Sequence, residues 1–418
     1  LEKKKTAAYF SKYLLLFALQ GISFWAAAQT NIVEMPADST ALPFTAPGEN
    51  GVVTGAERMN AWLPMIKDKQ VGLVVNHSSL VGQRHLVDTL CRLGQCVARI
   101  FAPEHGFRGT APDGEYIQEG QDILTGTPVV SLYGKTRKPS REDFDNVDVV
   151  VFDIQDVGAR FYTYISTLFY VLEACAEYNK PVIILDRPNP NGHYVDGPVL
   201  DMRLSSFVGI APLPIVHGCT MGELARLFTN ENWIRQPQPL RLGVIPCQNY
   251  THHTPYNLPV KPSPNLPNMR AVLLYPSLCL FEGTTVSVGR GTSTQFQVIG
   301  HPDFPRDSFW FVPQRNSASL YPPHEGWVCK GYDFTRITLS ELRSRDRIDL
   351  QYLLNYYALF PNKDAFFRTD GYFDRLAGTY SLRKQIEAGA SEAEIRATWQ
   401  ADLDAYKEIR RKYMLYPE

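Results

Sequence analysis

Neither sign of charge dominates this sequence: 42 Lys and Arg face 43 Asp and Glu, a formal net charge of −1. Without a basic field the chain has no general hold on nucleic acid, and without an acidic excess it has no solvating tail. Patterned cysteine is missing as well. The seven present (Cys91, Cys96, Cys175, Cys219, Cys247, Cys279 and Cys329) are odd in number and form neither a C-x-x-C pair nor zinc-ligand spacing. Most are expected as small buried hydrophobes, with one optional bridge. Several common chemistries lack their signatures. No G-x-G-x-x-G follows the first apolar strand, so a dinucleotide is not expected. A P-loop, a G-x-S-x-G elbow and an H-E-x-x-H pair are all missing. No repeat, coiled coil or low-complexity tract interrupts the chain. Neither a metal nor a cofactor is expected, and the ligand is expected to be a small molecule or neutral polymer.

What is present is an ordinary globular balance. The chain has 418 residues, 44% hydrophobic and 20% charged, enough for a real core in two or three domains of roughly 150 residues each. Aromatic residues make up 12%, which suits the apolar faces of pyranose rings but equally suits a large aromatic core. At the start, Lys3, Lys4 and Lys5 precede an apolar stretch at 13–25, and Ala26, Ala27 and Ala28 stand before Gln29. This pattern reads as a signal peptide over residues 1–28, so the protein is expected to be exported, periplasmic or extracellular. The stretch is short for a membrane span, and no Cys stands at the cleavage point; no stable membrane anchor is expected after cleavage. Residues 29–54, with Pro36, Pro43, Pro47 and Gly48, read as a flexible lead-in.

From residue 55 onward, short apolar runs alternate with helical patterns. Strands are expected at 71–75, 97–101, 127–132, 147–152 and 181–185. Helices are expected at 85–93 and 167–178, with a helix start at 140–143 and another at Thr220, whose capping-box partner is Glu223. Wholly apolar strands alternating with helices imply a parallel sheet covered on both faces. The fold class is therefore α/β: a Rossmann-like, doubly wound, mostly parallel sheet over residues 55–285, with a second, smaller α+β C-terminal domain over 286–418. In that tail, Ser391 and Glu394 open a helix whose apolar face carries Ile395, Trp399, Leu403, Tyr406 and Ile409.

In such sheets ligands bind outside the carboxyl ends of the strands. Four of the expected strands run directly into dense polar clusters: Asn76, His77, Ser78 and Ser79; Glu104, His105 and Arg108; Asp153 through Arg160 and on to Tyr162 and Tyr164; and Asp186, Arg187, Asn189 and Asn191. Their convergence on one rim would make a site. Glycosidic cleavage usually needs a carboxylic acid to protonate the leaving oxygen, often with a second carboxylate. Glu104, in a turn set by Pro103 and Gly106 with His105 and Arg108 to orient it, is the candidate acid; alternatively it pairs with Arg108 and braces the loop. Asp153 and Asp156 are candidates for the second group, or else cap turns. Glu115 and Glu119 are weaker candidates in a polar loop.

Arg160, with Tyr162 and Tyr164, is a candidate for a carboxylated sugar, because guanidinium offers a bidentate fork; otherwise it pairs with Asp153 or Asp156. Asp186, Arg187 and Asn189 offer donors and acceptors for sugar hydroxyls, or hold a Pro-rich turn. His217 either faces the site from a helix start or is structural. Glu282 and Arg290 enter the site from the domain junction or pair with each other, and Gly289 and Gly291 allow close backbone approach around Arg290.

The ordered motifs N76-H-S-S79, P103-E-H-G-F-R-G109, V130-S-L-Y-G134, F152-D-I-Q-D-V-G-A-R-F-Y-T-Y164, L185-D-R-P-N-P190, and F281-E-G283 through G289-R-G-T292 together resemble the NamZ family of exo-β-N-acetylmuramidases. The resemblance implies a Rossmann-like catalytic domain, a C-terminal accessory domain and a cleft between them. It also implies release of N-acetylmuramic acid from the non-reducing end of peptide-free, β-1,4-linked peptidoglycan fragments, with Glu104 as the acid. Muramic acid carries a lactyl carboxylate, which would meet Arg160. The second catalytic group is Asp153 or Asp156, or the substrate's own 2-acetamido group. Two other functions fit the same residues: a non-catalytic glycan-binding protein, and a metal-assisted esterase or deacetylase using His77, His105 and Asp153.

Overall fold

Five of the apolar runs become strands of one sheet in the computed structural model, which describes residues 51–108 and 120–418. The expected signal peptide, nearly all of the lead-in, and Glu115 and Glu119 lie outside the described residues. The sheet has seven strands in the spatial order Gly120–Gln121, Pro128–Ser131, Val97–Ala102, Val71–Val75, Val149–Asp153, Val182–Leu185, Leu242–Ile245. Every pairing is parallel except that of the two-residue edge strand Gly120–Gln121. Setting that strand aside, the six parallel strands stand in the order 3-2-1-4-5-6, the doubly wound arrangement of dinucleotide-binding folds.

Side-chain alternation shows why the strands are apolar throughout. Leu73, Val75, Ile100, Val149, Val151, Ile183 and Leu185 enter one buried cluster, whereas Val74, Phe101, Val150, Phe152, Val182 and Ile184 enter another on the opposite face. Both faces are covered, so no position can be polar without a buried partner. Helices Met59–Ile66 and Leu86–Arg92 contribute to the first cluster; Tyr164–Glu177, Met221–Asn230 and Met269–Leu278 contribute to the second. Thr220 and Glu223 close the expected capping box. The helix start at 140–143 is a short 3-10 turn, Glu142–Phe144.

The second cluster runs on into the C-terminal part and reaches Tyr406. That part holds a three-stranded antiparallel sheet, in the order Val298–His301, Cys329–Asp333, Trp310–Phe311, and the helices Leu339–Arg343, Gln351–Leu359, Tyr372–Ala377, Ser381–Glu387, Glu392–Ala397 and Gln400–Arg411. The single helix expected after Ser391 is two, parted at Thr398 and Trp399. Its apolar face survives the break, because Ile395, Trp399, Leu403 and Tyr406 are all buried. All seven cysteines are free, with Cys91 and Cys96 exposed and the other five buried. No helix among the described residues is long and apolar enough to cross a membrane.

Candidate active site

A cavity of about 350 Å³ opens beside the carboxyl ends of the strands. Glu104 and His105 reach it from the loop after Val97–Ala102, Tyr133 and Arg137 from the segment after Pro128–Ser131, and Phe161 to Tyr164 from the segment after Val149–Asp153. Its far walls come from later in the chain: Phe207, Val208, Ser263, Asn265, Leu266 and Tyr275, then Glu282, Arg290, Phe296 and Tyr372. Six of the residues singled out in the sequence therefore meet here: Glu104, His105, Tyr162, Tyr164, Glu282 and Arg290.

The turn that presents Glu104 is tight. The Gly106 amide donates to the Pro103 carbonyl at 3.0 Å, and His105 is held at φ 69°, where a side chain is strained. The Glu104 carboxylate accepts a hydrogen bond from the Thr163 hydroxyl at 2.8 Å, and the Tyr164 hydroxyl donates to the Glu104 carbonyl at 3.4 Å. Thr163 thus fixes one carboxyl oxygen and leaves the other to meet a ligand. Tyr162 donates to the Pro262 carbonyl at 2.8 Å and packs edge-on against Tyr164, ring centres 4.9 Å apart. Burial pushes both phenols above their ordinary range, so they act only as neutral hydroxyls. On the opposite side Glu282 and Arg290 form an ion pair at 2.5 Å. Gly289 and Gly291 both have φ 80°, and a Cβ on Gly291 would lie 2.7 Å from the Gln314 carbonyl oxygen, so the close approach around Arg290 is real.

The other expected site residues do not line the cavity, and each has a structural partner. Asp153 is fully buried and takes Arg187 at 2.5 and 2.8 Å; Arg187 also donates to the Leu80 carbonyl at 2.9 Å. Asp156 is buried, accepts from the Gly158 amide at 2.7 Å and lies 3.5 Å from His217. His217 is buried with it and accepts from the Cys219 amide at 3.2 Å. Arg160 forms no pair with either aspartate. It lies fully buried and donates to the carbonyls of Pro198 and Leu213 at 2.8 and 2.7 Å and of Leu376 at 2.8 Å, which leaves it no access to a ligand. With no carboxylate beside it, burial lowers its pKa to about 9.

Asp186 accepts from Thr220, the Gly222 amide and Tyr416, at 2.7, 2.8 and 2.6 Å, anchoring a helix start and the C-terminal segment to the strand end. Burial nonetheless raises its pKa to about 6 against those donors. Asn189 holds its own turn, accepting from the Asn191 amide and donating to the Cys219 carbonyl, both at 2.8 Å. Asn76 accepts from the amide and hydroxyl of Ser78 at 2.9 and 2.5 Å. His77 bonds the Lys261 carbonyl at 2.7 Å. Arg108 does not pair with Glu104; it bridges Asp88 and Asp122 at 3.1 and 3.0 Å. His77, His105 and Asp153 are thus not assembled as a metal site, since Arg187 occupies both Asp153 oxygens. Among the described residues, no three His, Cys, Asp or Glu side chains are grouped to hold a metal.

Sequence reasoning missed Thr163 and Tyr133, although both stand within runs that carry the family resemblance. It also missed Arg137, Phe207, Ser263, Asn265, Tyr275, Phe296 and Tyr372, none of which stands in the polar clusters that directly follow the expected strands.

Residues 71–270 match the family described as exo-beta-N-acetylmuramidase NamZ, N-terminal, and residues 273–416 match its C-terminal counterpart. A curated relative, the peptidoglycan beta-N-acetylmuramidase NamZ of Bacillus subtilis, is 37% identical over 369 residues, which cover 84% of this chain and 88% of the relative. Two solved structures of DUF1343 family proteins from Bacteroides fragilis are similar throughout. One has a TM-score of 0.80 at 45% identity and covers 88% of this chain and 99% of that one. The other has a TM-score of 0.73 at 28% identity, with 87% and 99% coverage. With both halves of the family matched end to end on a shared fold, this chain belongs to the NamZ family of exo-β-N-acetylmuramidases.

Proposed function

We propose that this protein is an exo-acting glycoside hydrolase that releases N-acetylmuramic acid from the non-reducing end of β-1,4-linked peptidoglycan fragments, with Glu104 as the proton donor. The observation that carries the reading is the Glu104 carboxyl group, fixed by Thr163 in an aromatic-walled cavity whose other carboxylate, Glu282, is paired with Arg290. At about 350 Å³ the cavity stands at the small end of ligand sites, which run from roughly 300 to 1,000 Å³. That size suits the end of a glycan better than its middle.

In this mechanism the Glu104 carboxyl gives its proton to the glycosidic oxygen as the bond from that oxygen to C1 breaks. Asp153 is tied to Arg187 and Asp156 is enclosed behind the cavity, which favours attack on C1 by the carbonyl oxygen of the substrate's own 2-acetamido group. The Glu104 carboxylate then takes a proton from water as the water opens that intermediate, which returns the acid and frees the sugar. Export by the basic and apolar residues 1–28 belongs to the same reading, because the substrate lies outside the cytoplasm.

The test is turnover of a chromogenic β-N-acetylmuramide beside the matching N-acetylglucosaminide. Strong preference for the muramide is expected. Equal turnover of both, or none of either, would contradict the reading.

A further inference from the structure

The cavity has two guanidinium groups in its lining, and they are not equivalent. Arg290 is already neutralised by Glu282 at 2.5 Å. Arg137 is exposed and lies over the Phe207 ring, 4.4 Å from its centre, with no carboxylate partner among the described residues. The neighbouring cation does not share this position: Lys138 turns away to Glu173 and Glu177, at 3.2 and 2.8 Å. Phe207 in turn packs on Tyr133, ring centres 6.2 Å apart, so an aromatic wall ends in an uncommitted positive charge.

This is the arrangement a carboxylated sugar needs. The aromatic wall accepts the apolar face of a pyranose, and a planar fork of donors stands where a substituent would project from it. N-acetylmuramic acid differs from N-acetylglucosamine by a lactyl ether on O3, which carries a carboxylate. Arg160, the residue suggested by sequence for that group, is enclosed and committed to three carbonyls. We propose that Arg137 is the specificity-determining residue that receives the lactyl carboxylate, with Phe207 holding its guanidinium flat toward the cavity. The inference rests on the muramidase reading above and adds to it the residue that tells muramic acid from glucosamine.

The test compares the chromogenic N-acetylmuramide with its lactyl methyl ester, in the wild type and in R137A and R137K. Arg137 is on the surface with no hydrogen bond to the described fold, so both variants are expected to keep the wild-type unfolding midpoint. For the free acid, R137A is expected to raise KM on the order of ten- to a hundredfold with kcat little changed, the size of a lost charge-assisted pair. R137K is expected to recover part of the loss. For the ester, the wild type and R137A are expected to agree within a few-fold. Added salt is expected to raise the wild-type KM for the acid and to leave that of R137A unchanged. If R137A discriminates acid from ester as well as the wild type does, the assignment is wrong while the muramidase reading stands. If the wild type turns over neither compound, the muramidase reading fails and this assignment falls with it.

Discussion

Replacing Asp153 with Ala is expected to damage the fold before it touches the chemistry. Asp153 is wholly buried at the end of a central strand, and its partner Arg187 is only 3% exposed. Two bonds of 2.5 and 2.8 Å join them, and the Asp153 carbonyl also accepts from the Ser79 hydroxyl. Without the carboxylate, a guanidinium remains buried with the Leu80 carbonyl as its remaining partner. Breaking a buried pair in this way costs about 3–5 kcal/mol, most of it from the stranded charge. Against a typical total of about 5–15 kcal/mol, that is a large share. The assay is urea unfolding of D153A, R187M and the double variant. Each single change is expected to lose about 3–5 kcal/mol, and the double variant clearly less than their sum, since neither charge is then left alone. Should D153A unfold within about 1 kcal/mol of the wild type yet lose turnover, Asp153 would belong to the chemistry and the structural assignment would be refuted.

Two further outcomes follow from buried groups. Asp186 has a pKa raised to about 6, so the fold favours its protonated form; its contribution is complete below about pH 4 and is lost as pH rises through 6, a change of about 3 kcal/mol. Urea midpoints of the wild type relative to D186N are therefore expected to fall between pH 4 and pH 7, and a constant difference would contradict this. R160M removes the guanidinium donors from the carbonyls of Pro198, Leu213 and Leu376, of which Leu213 keeps the Leu200 amide, and is expected to lose about 3 kcal/mol with KM unchanged. G378A is expected to disturb the same place, because its Cβ would lie 2.4 Å from the Arg160 guanidinium at φ 76°. A raised KM in R160M at unchanged stability would return Arg160 to the binding site.

The sheet was legible because its central strands are buried on both faces and therefore apolar at every position, as in Val71–Val75 and Val182–Leu185. Leu242–Ile245 escaped notice because it is a half-buried edge strand after a Pro-rich stretch, and Gly120–Gln121 because two exposed residues leave no pattern. The site was legible only in part. Polar clusters do follow the strands, but composition does not say which of them turn inward. At the centre of the sheet they bond one another: Ser79 to Asp153, Ser78 to Gln155, Arg187 to Asp153. The loops after Val97–Ala102, Pro128–Ser131 and Val149–Asp153 supply the near walls of the cavity, and the long connections after Val182–Leu185 and Leu242–Ile245 add Phe207 and Val208, then Ser263, Asn265 and Leu266. An aspartate or arginine in a loop looks the same in sequence whether it faces a sugar or a buried ion. Phe207, Tyr275 and Tyr372 join the wall through long-range packing, which no local spacing encodes.

The most direct measurement is steady-state hydrolysis of a muramic-acid-terminated disaccharide by E104Q. The account predicts that kcat falls about 10²- to 10⁴-fold, the usual worth of a positioned proton donor, while KM stays within a few-fold. An aryl muramide whose leaving group needs no proton should lose far less. If E104Q cleaves the disaccharide at nearly the wild-type rate, Glu104 is not the acid and the central claim is contradicted.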